Sequence, residues 1–171
     1  MEQASVIRAA IVVAVAALID AVVVPYLTFG LFSPRLTLIA VVFAVSLLRD
    51  LQAVLLGFFG GIMLDALGSD LFGVGALGGL LAAMLASRAS AVRRKGTERV
   101  VFAQVAGIAV AGYDLLGYTA RWLAGLAVPQ LGEYAVAGIL PDAFLNALIA
   151  FLIGGWLMGV VNIKTPHGWE R

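Results

Sequence analysis

The sequence predicts an all-α polytopic membrane protein of about six transmembrane helices, read as a single transmembrane domain over residues 1–171. Two observations carry this. Hydrophobic residues make up 63% of the chain and charged residues only 12%, where a soluble domain carries about 25% charged residues; the mean hydropathy is +1.06. The apolar residues also fall into six segments, and 171 residues hold about six short spans at ~20 residues each. The net charge of +1 implies no general attraction to nucleic acid. With no cysteine, disulfides and thiolate metal sites are excluded.

The first segment runs from about Ala9 to Phe29 and carries Asp20 and Pro25. Its start is barely basic and no small-x-small cleavage site follows, so it reads as a retained transmembrane helix. The second is Leu36 to Leu48 and the third Ala53 to Leu67. Both are short: at 1.5 Å per residue the thirteen residues of the second give only about 20 Å, against a ~30 Å hydrocarbon core, and a re-entrant pair is one way to read them. The expected reading is two short spans packed inside a bundle, where local bilayer thinning is tolerable. The fourth is Phe72 to Ala86, and the short connection at Ser69-Asp70 makes it antiparallel to the third. The fifth is Val100 to Ala120, with Asp114, and the sixth is Ile139 to Val161, with Pro141-Asp142 and Asn146.

Lys and Arg set the orientation. With both termini cytoplasmic, Arg8, Arg49, Arg88, Arg93, Arg94, Lys95, Arg99, Lys164 and Arg171 lie inside, and only Arg35 and Arg121 lie outside. The basic loop Arg88–Arg99 is the main topogenic signal and a candidate contact for anionic membrane lipid.

In that orientation Asp20, Asp65, Asp114 and Asp142 all fall in the outer half. Together with Arg35 and Arg121 they make a candidate buried polar layer, with Asp65 and Asp114 as its most buried members. Each has a plainer reading. Asp142 follows Pro141 and reads as a helix N-cap. Asp20 can face water at a kink made by Pro25. Asp114 lies among Tyr113, Tyr118 and Trp122, an aromatic interface belt. Asp65 makes either an internal structural bond or a contact with a partner or ligand. Four acids at one level also suit a cation or proton path.

Gly57, Gly61 and Asp65 recur at i, i+4 and i+8, so they share one helix face on which a second helix can approach closely. Gly60 is expected in the same contact. Gly73, Gly75, Gly78 and Gly79, and later Gly154, Gly155 and Gly159, are further small-residue packing surfaces. Gly155-x-x-x-Gly159 is a motif that a homodimer would use. The segment Trp122–Gly138 is mostly apolar and is read as an outer loop that lies in the membrane interface or covers a partner. His167 reads as a solvated side chain of a polar tail. No serine–histidine–acid set, His-Glu metal spacing or nucleotide fingerprint occurs, so no enzyme, metal or cofactor is expected.

The stretch Ser33-Pro34-Arg35-Leu36, then Gly57-Phe58-x-x-Gly61-x-x-x-Asp65, then Gly73 and Ala76-Leu77, resembles the MreD family of rod-shape-determining membrane proteins. The motif spans Pro34 to about Leu77, while length and span pattern agree over the whole chain. The family pattern usually carries an acid after the proline; here Arg35 stands there. The resemblance implies a non-enzymatic scaffold of the peptidoglycan-synthesising elongation complex in the bacterial inner membrane. Its implied partners are the bitopic protein MreC and, through it, MreB filaments, RodA and a class B penicillin-binding protein. The fold also resembles substrate-binding S subunits of energy-coupling-factor transporters. Ala10-x-x-x-Ala14 and Ala17-x-x-x-Ala21 are similar to the alanine face those subunits present, which makes a vitamin- or metal-binding transporter subunit the alternative.

Overall fold

The structure is a computed structural model that describes residues 2–27, 33–45, 48, 50–68, 71–92 and 98–161. The described residues are helical apart from short connections, with no strand among them. The helices are α1 (Glu2–Val22), α2 (Val24–Leu27), α3 (Leu36–Val45), α4 (Asp50–Leu67), α5 (Val74–Val92), α6 (Glu98–Leu123), α7 (Leu131–Tyr134) and α8 (Leu140–Val161). The six expected segments are all present as helices, with shifted ends. Pro25 lacks an N–H and crowds the carbonyl four residues before it, so α1 stops at Val22 and resumes after Val23 as the single turn α2. At the other end of the chain's fourth segment, α5 continues past Ala86 to Val92, because Arg88 extends from the helix into open surroundings rather than ending it.

Among the described residues, three helical stretches are long and apolar enough to cross a membrane: Val6–Tyr26, Arg99–Leu123 and Leu131–Leu157. The other three apolar helices, Leu36–Val45, Leu51–Leu67 and Val74–Ser90, are shorter. α3 has ten residues, about 15 Å of helix. Every residue from Thr37 to Val45 is buried. α3 is therefore the axis of the bundle, touching α1, α4, α5, α6 and α8. An all-round apolar helix suits that place. Phe43 of α3 meets Phe102 of α6 with ring centroids 5.5 Å apart, and Gly154 of α8 leaves the room that Phe43 fills.

The outer surface is apolar, with exposed Ile11, Val15 and Leu18 on α1 and Phe144, Leu148, Phe151 and Leu152 on α8. Lipid is as apolar as these side chains, so burying them earns little; packing and hydrogen bonds must hold the helices together. The glycines supply the packing. Gly57 and Gly61 of α4 lie directly against Gly79 and Gly75 of α5, and a β-carbon at any of the four would strike the facing backbone. Gly60 does not share that seam: it faces Val13 of α1 and Val41 of α3. Gly78 turns the other way, onto the Tyr113 ring of α6. A further close approach, absent from the sequence reading, sets Gly107 of α6 against Ala143 and Ala147 of α8. Its sequence signal is the small-residue series Ala103, Gly107, Ala111 at spacing four.

Candidate functional site

Helix N-termini leave backbone N–H groups without intrahelical partners, and inside a bundle they must find other acceptors. α5 shows how. Gly73 is its cap residue, since its carbonyl accepts the first helical bond from Leu77. Gly73 has a φ of 102°, which suits glycine, but it has no side chain to cap with. Asp65, two residues before the end of α4, does so instead. Its Oδ1 accepts the N–H of Gly75 at 2.7 Å, and its Oδ2 accepts those of Gly73 and Ala76 at 3.0 Å each. The Val74 N–H goes to Leu71 O. The first turn of α5 is thus satisfied, and a negative group sits at the positive end of its dipole. This is the internal bond anticipated as one reading of Asp65. Gly73 serves the turn rather than a packing face, with nothing within 4 Å of a β-carbon there.

The same device closes α3. Arg35 occupies the cap position, its carbonyl accepting from Ile39. The carboxylate comes from Asp20, two residues before the end of α1. It accepts the N–H of Leu36 at 2.9 Å, the N–H of Thr37 at 2.7 Å and the Thr37 hydroxyl at 2.6 Å. The approach to α3 is held from a third side. Asp142 Oδ1 accepts the Ser33 N–H at 2.9 Å, and Asn146 Oδ1 accepts the Arg35 N–H at 2.7 Å. Asn146 in turn donates to Ser33 O at 3.2 Å and to Asp142 O at 2.8 Å. Asn146 is fully buried; the sequence marks it only as a polar residue of the sixth segment, an amide one turn after Asp142 in an otherwise apolar run.

Asp142 does not begin a helix. The chain is helical from Leu131 onward, through a wide π-type turn at Ala135–Ile139 that runs into α8. Pro141 has no N–H for the Ala137 carbonyl, and the wider turn, with Leu140 N–H bonded to Ala135 O, accommodates that lost bond. The supposed N-cap is a carboxylate inside a continuous helix that reaches across to Ser33. The expected outer loop 122–138 is likewise partly helical. α6 ends with the Leu126 N–H on Arg121 O and the Gly125 N–H on Trp122 O, and Gly125 supplies the left-handed φ of 72° that this ending needs. Tyr118 then donates to Pro129 O at 2.9 Å and stacks on Tyr134 at 5.2 Å, folding the segment back onto α6.

Arg35 lies over the Tyr113 ring, 4.6 Å from its centroid, and 3.7 Å from Asp114 Oδ1. Asp114 is 5% exposed, so its guanidinium neighbour matters: removing one partner of a buried pair leaves the other charge in a poor solvent. Asp20, Arg35, Asp114, Asp142 and Arg121 all line one cavity of about 950 Å³, joined by Glu133 and Tyr134. The expected polar layer is therefore brought together for five of its six members. Asp65 is buried at the α4–α5 seam and is not part of the cavity wall. Among the described residues no group of three His, Cys, Asp or Glu side chains is placed to hold a metal ion.

At the far end of the helices, Arg8, Arg88 and Arg99 are exposed. Gly155 packs against the Arg99 guanidinium, so this half of the dimer motif is engaged within the chain; Gly159 lies in α8. The remaining basic-loop residues Arg93, Arg94 and Lys95 lie outside the described residues, as do Arg49, Lys164, Arg171 and His167.

Among known protein families, the model described as rod shape-determining protein MreD matches residues 3–163 of this chain. No curated protein and no solved structure gives a significant match.

Proposed function

The chain belongs to the MreD family of rod shape-determining proteins, and on that premise we propose that it is a non-enzymatic membrane scaffold of the cell-elongation complex. The observation that carries this reading is the family match across residues 3–163. The geometry supports it in kind: Asp20, Asp65 and Asn146 spend their polar groups on backbone N–H groups of neighbouring helices. Such an arrangement stiffens a bundle and presents fixed outer faces to other membrane proteins. In this reading the chain sits in the bacterial inner membrane with both termini cytoplasmic. It associates with an MreC-like bitopic protein and through it with RodA, a class B penicillin-binding protein and, indirectly, MreB.

Tagged protein purified in mild detergent from a rod-shaped bacterium at native abundance tests this. An MreC-like bitopic protein should co-purify, and depletion of the chain should turn rods into spheres. Recovery without that partner, together with unchanged rods on depletion, would defeat the scaffold reading. A second reading, an energy-coupling-factor S subunit, is favoured by the open cavity of about 950 Å³. It requires that a deletion strain grow normally once a vitamin or metal ion is supplied.

A further inference from the structure

The lining of the cavity comes from parts of the molecule that are held very differently. Ala17 and Ala21 of α1 and Leu64 and Leu67 of α4 belong to helices that pack on each other and on α3. Pro129, Glu133, Tyr134, Ala137 and Gly138 come from the segment that returns from α6 to α8. In that segment no side chain between Trp122 and Leu140 is buried. α7 is a single turn of four residues, too short to be stable alone. Among the described helices it approaches only the π-type turn that follows it. Few buried contacts and low contact density mark the parts of a fold that open most readily.

Tyr118 bridges the gap. Its hydroxyl donates to Pro129 O at 2.9 Å, and its ring stacks on Tyr134 with centroids 5.2 Å apart. Tyr118 belongs to α6, which is anchored in the core by Phe102, Ala106 and Val110. Both contacts therefore join a fixed helix to a weakly held segment. The segment also has a pivot at each end. At one, Gly125 takes a φ of 72°, and nothing lies within 4 Å of where its β-carbon would be. At the other, the Leu140 N–H bonds to Ala135 O, five residues back, in the turn Ala135–Ile139. Hinges are short stretches at element ends that absorb a change of backbone angle. We propose that residues 126–134 are a lid on the cavity, with Tyr118 as its latch and Gly125 and the π-type turn as its hinges. With the latch made, Pro129, Glu133 and Tyr134 complete the cavity wall. With it released, α7 swings on the two hinges and carries these side chains away, so the interior at Ala21 becomes more accessible.

The chain has no cysteine, so labels placed on introduced cysteines report the motion directly. Gly132→Cys on the lid and Val22→Cys on α1, both at exposed positions, carry nitroxide labels. Double electron–electron resonance then measures their separation in lipid nanodiscs. Two distance populations are expected, one closed and one open. Tyr118→Phe keeps the stack and loses the hydrogen bond, and should raise the open-to-closed ratio about fivefold, equivalent to about 1 kcal/mol. Tyr118→Ala loses both contacts and should raise it further. Thr119→Val is the control. It loses a hydrogen bond to Leu115 O, one residue along the same helix, and should leave the ratio at its wild-type value. In separate samples Ala21→Cys, which lines the cavity, should react with a small thiol reagent faster in the same order of variants. A single distance population that persists through Tyr118→Ala would overturn the lid, whether or not the melting temperature falls. So would equal effects of Tyr118→Phe and Thr119→Val. An Ala21→Cys labelling rate indifferent to Tyr118 would also overturn it, since the segment would then move without opening the cavity.

Discussion

The Asp65 carboxylate accepts the Gly75 N–H at 2.7 Å and also fills the space that a β-carbon on Gly75 would need, with Oδ1 2.6 Å from that position. Residue 75 is thus fixed as glycine by the group that caps its helix. The Gly61 carbonyl presses on the same place.

Gly75→Ala and Gly73→Ala separate contact from conformation. Gly75→Ala drives a methyl group into backbone and carboxylate and should cost about 1–3 kcal/mol or more. Gly73→Ala meets open space but strains a φ of 102°, at about 1–3 kcal/mol. Thermal unfolding in one detergent should rank Gly75→Ala and Gly61→Leu below wild type, with normal protein yields lost for Gly61→Leu. Wild-type yield and partner recovery for Gly61→Leu would sink the seam.

Asp65→Ala leaves three N–H groups at the start of α5 without their acceptor, each worth about 1–3 kcal/mol when buried. Asp65→Asn keeps one accepting oxygen and sets an NH₂ against the remaining N–H donors. The expected order of melting temperature is wild type, then Asn, then Ala, because Asp65 bonds backbone rather than Arg35 or Arg121. An Asn variant as unstable as Ala would contradict the two-oxygen cap.

Thr37→Val removes one hydroxyl bond to Asp20 and should cost about 1 kcal/mol. Asp20→Ala removes all three bonds to α3 and should cost clearly more. Equal losses in chemical unfolding would mean that Asp20 does not close α3.

Arg35 and Asp114 call for a double-mutant cycle with Arg35→Gln and Asp114→Asn. Contacting groups of this kind show coupling of about 0.5–3 kcal/mol. Additive effects would show that the 3.7 Å approach contributes nothing.

The proposed orientation is open to cysteine labelling, since the chain has no cysteine. In intact cells Gln130→Cys should react with an impermeant thiol reagent and Ser90→Cys should not. The opposite pattern would invert the topology.

The Gly57, Gly61 and Asp65 stripe could be read from the sequence because its spacing of four is local to one helix. What the stripe faces could not: the acceptor is on α4 and the donors begin eight residues later, across a turn. Pro141-Asp142 misled because a proline marks a helix start and a tolerated interruption with the same local signal. The shortness of the second segment was legible, and its apolar character on every side fits the burial of α3. Arg35 pairing with Asp114 needed the third dimension, since 79 positions separate them in the chain.

The two trans-capped helices differ in when they can be completed. α4 and α5 carry their own cap, so this hairpin can leave the ribosome and translocon with its polar backbone groups already matched. α3 can receive Asp20 early, but Asp142 and Asn146 belong to α8, 109 and 111 positions after the groups they hold. Its entry segment, Ser33 to Arg35, therefore waits until α8 has been synthesised. During that interval the centre of the molecule is its least finished part, so a nascent chain halted before α8 offers quality-control proteases an unsealed core.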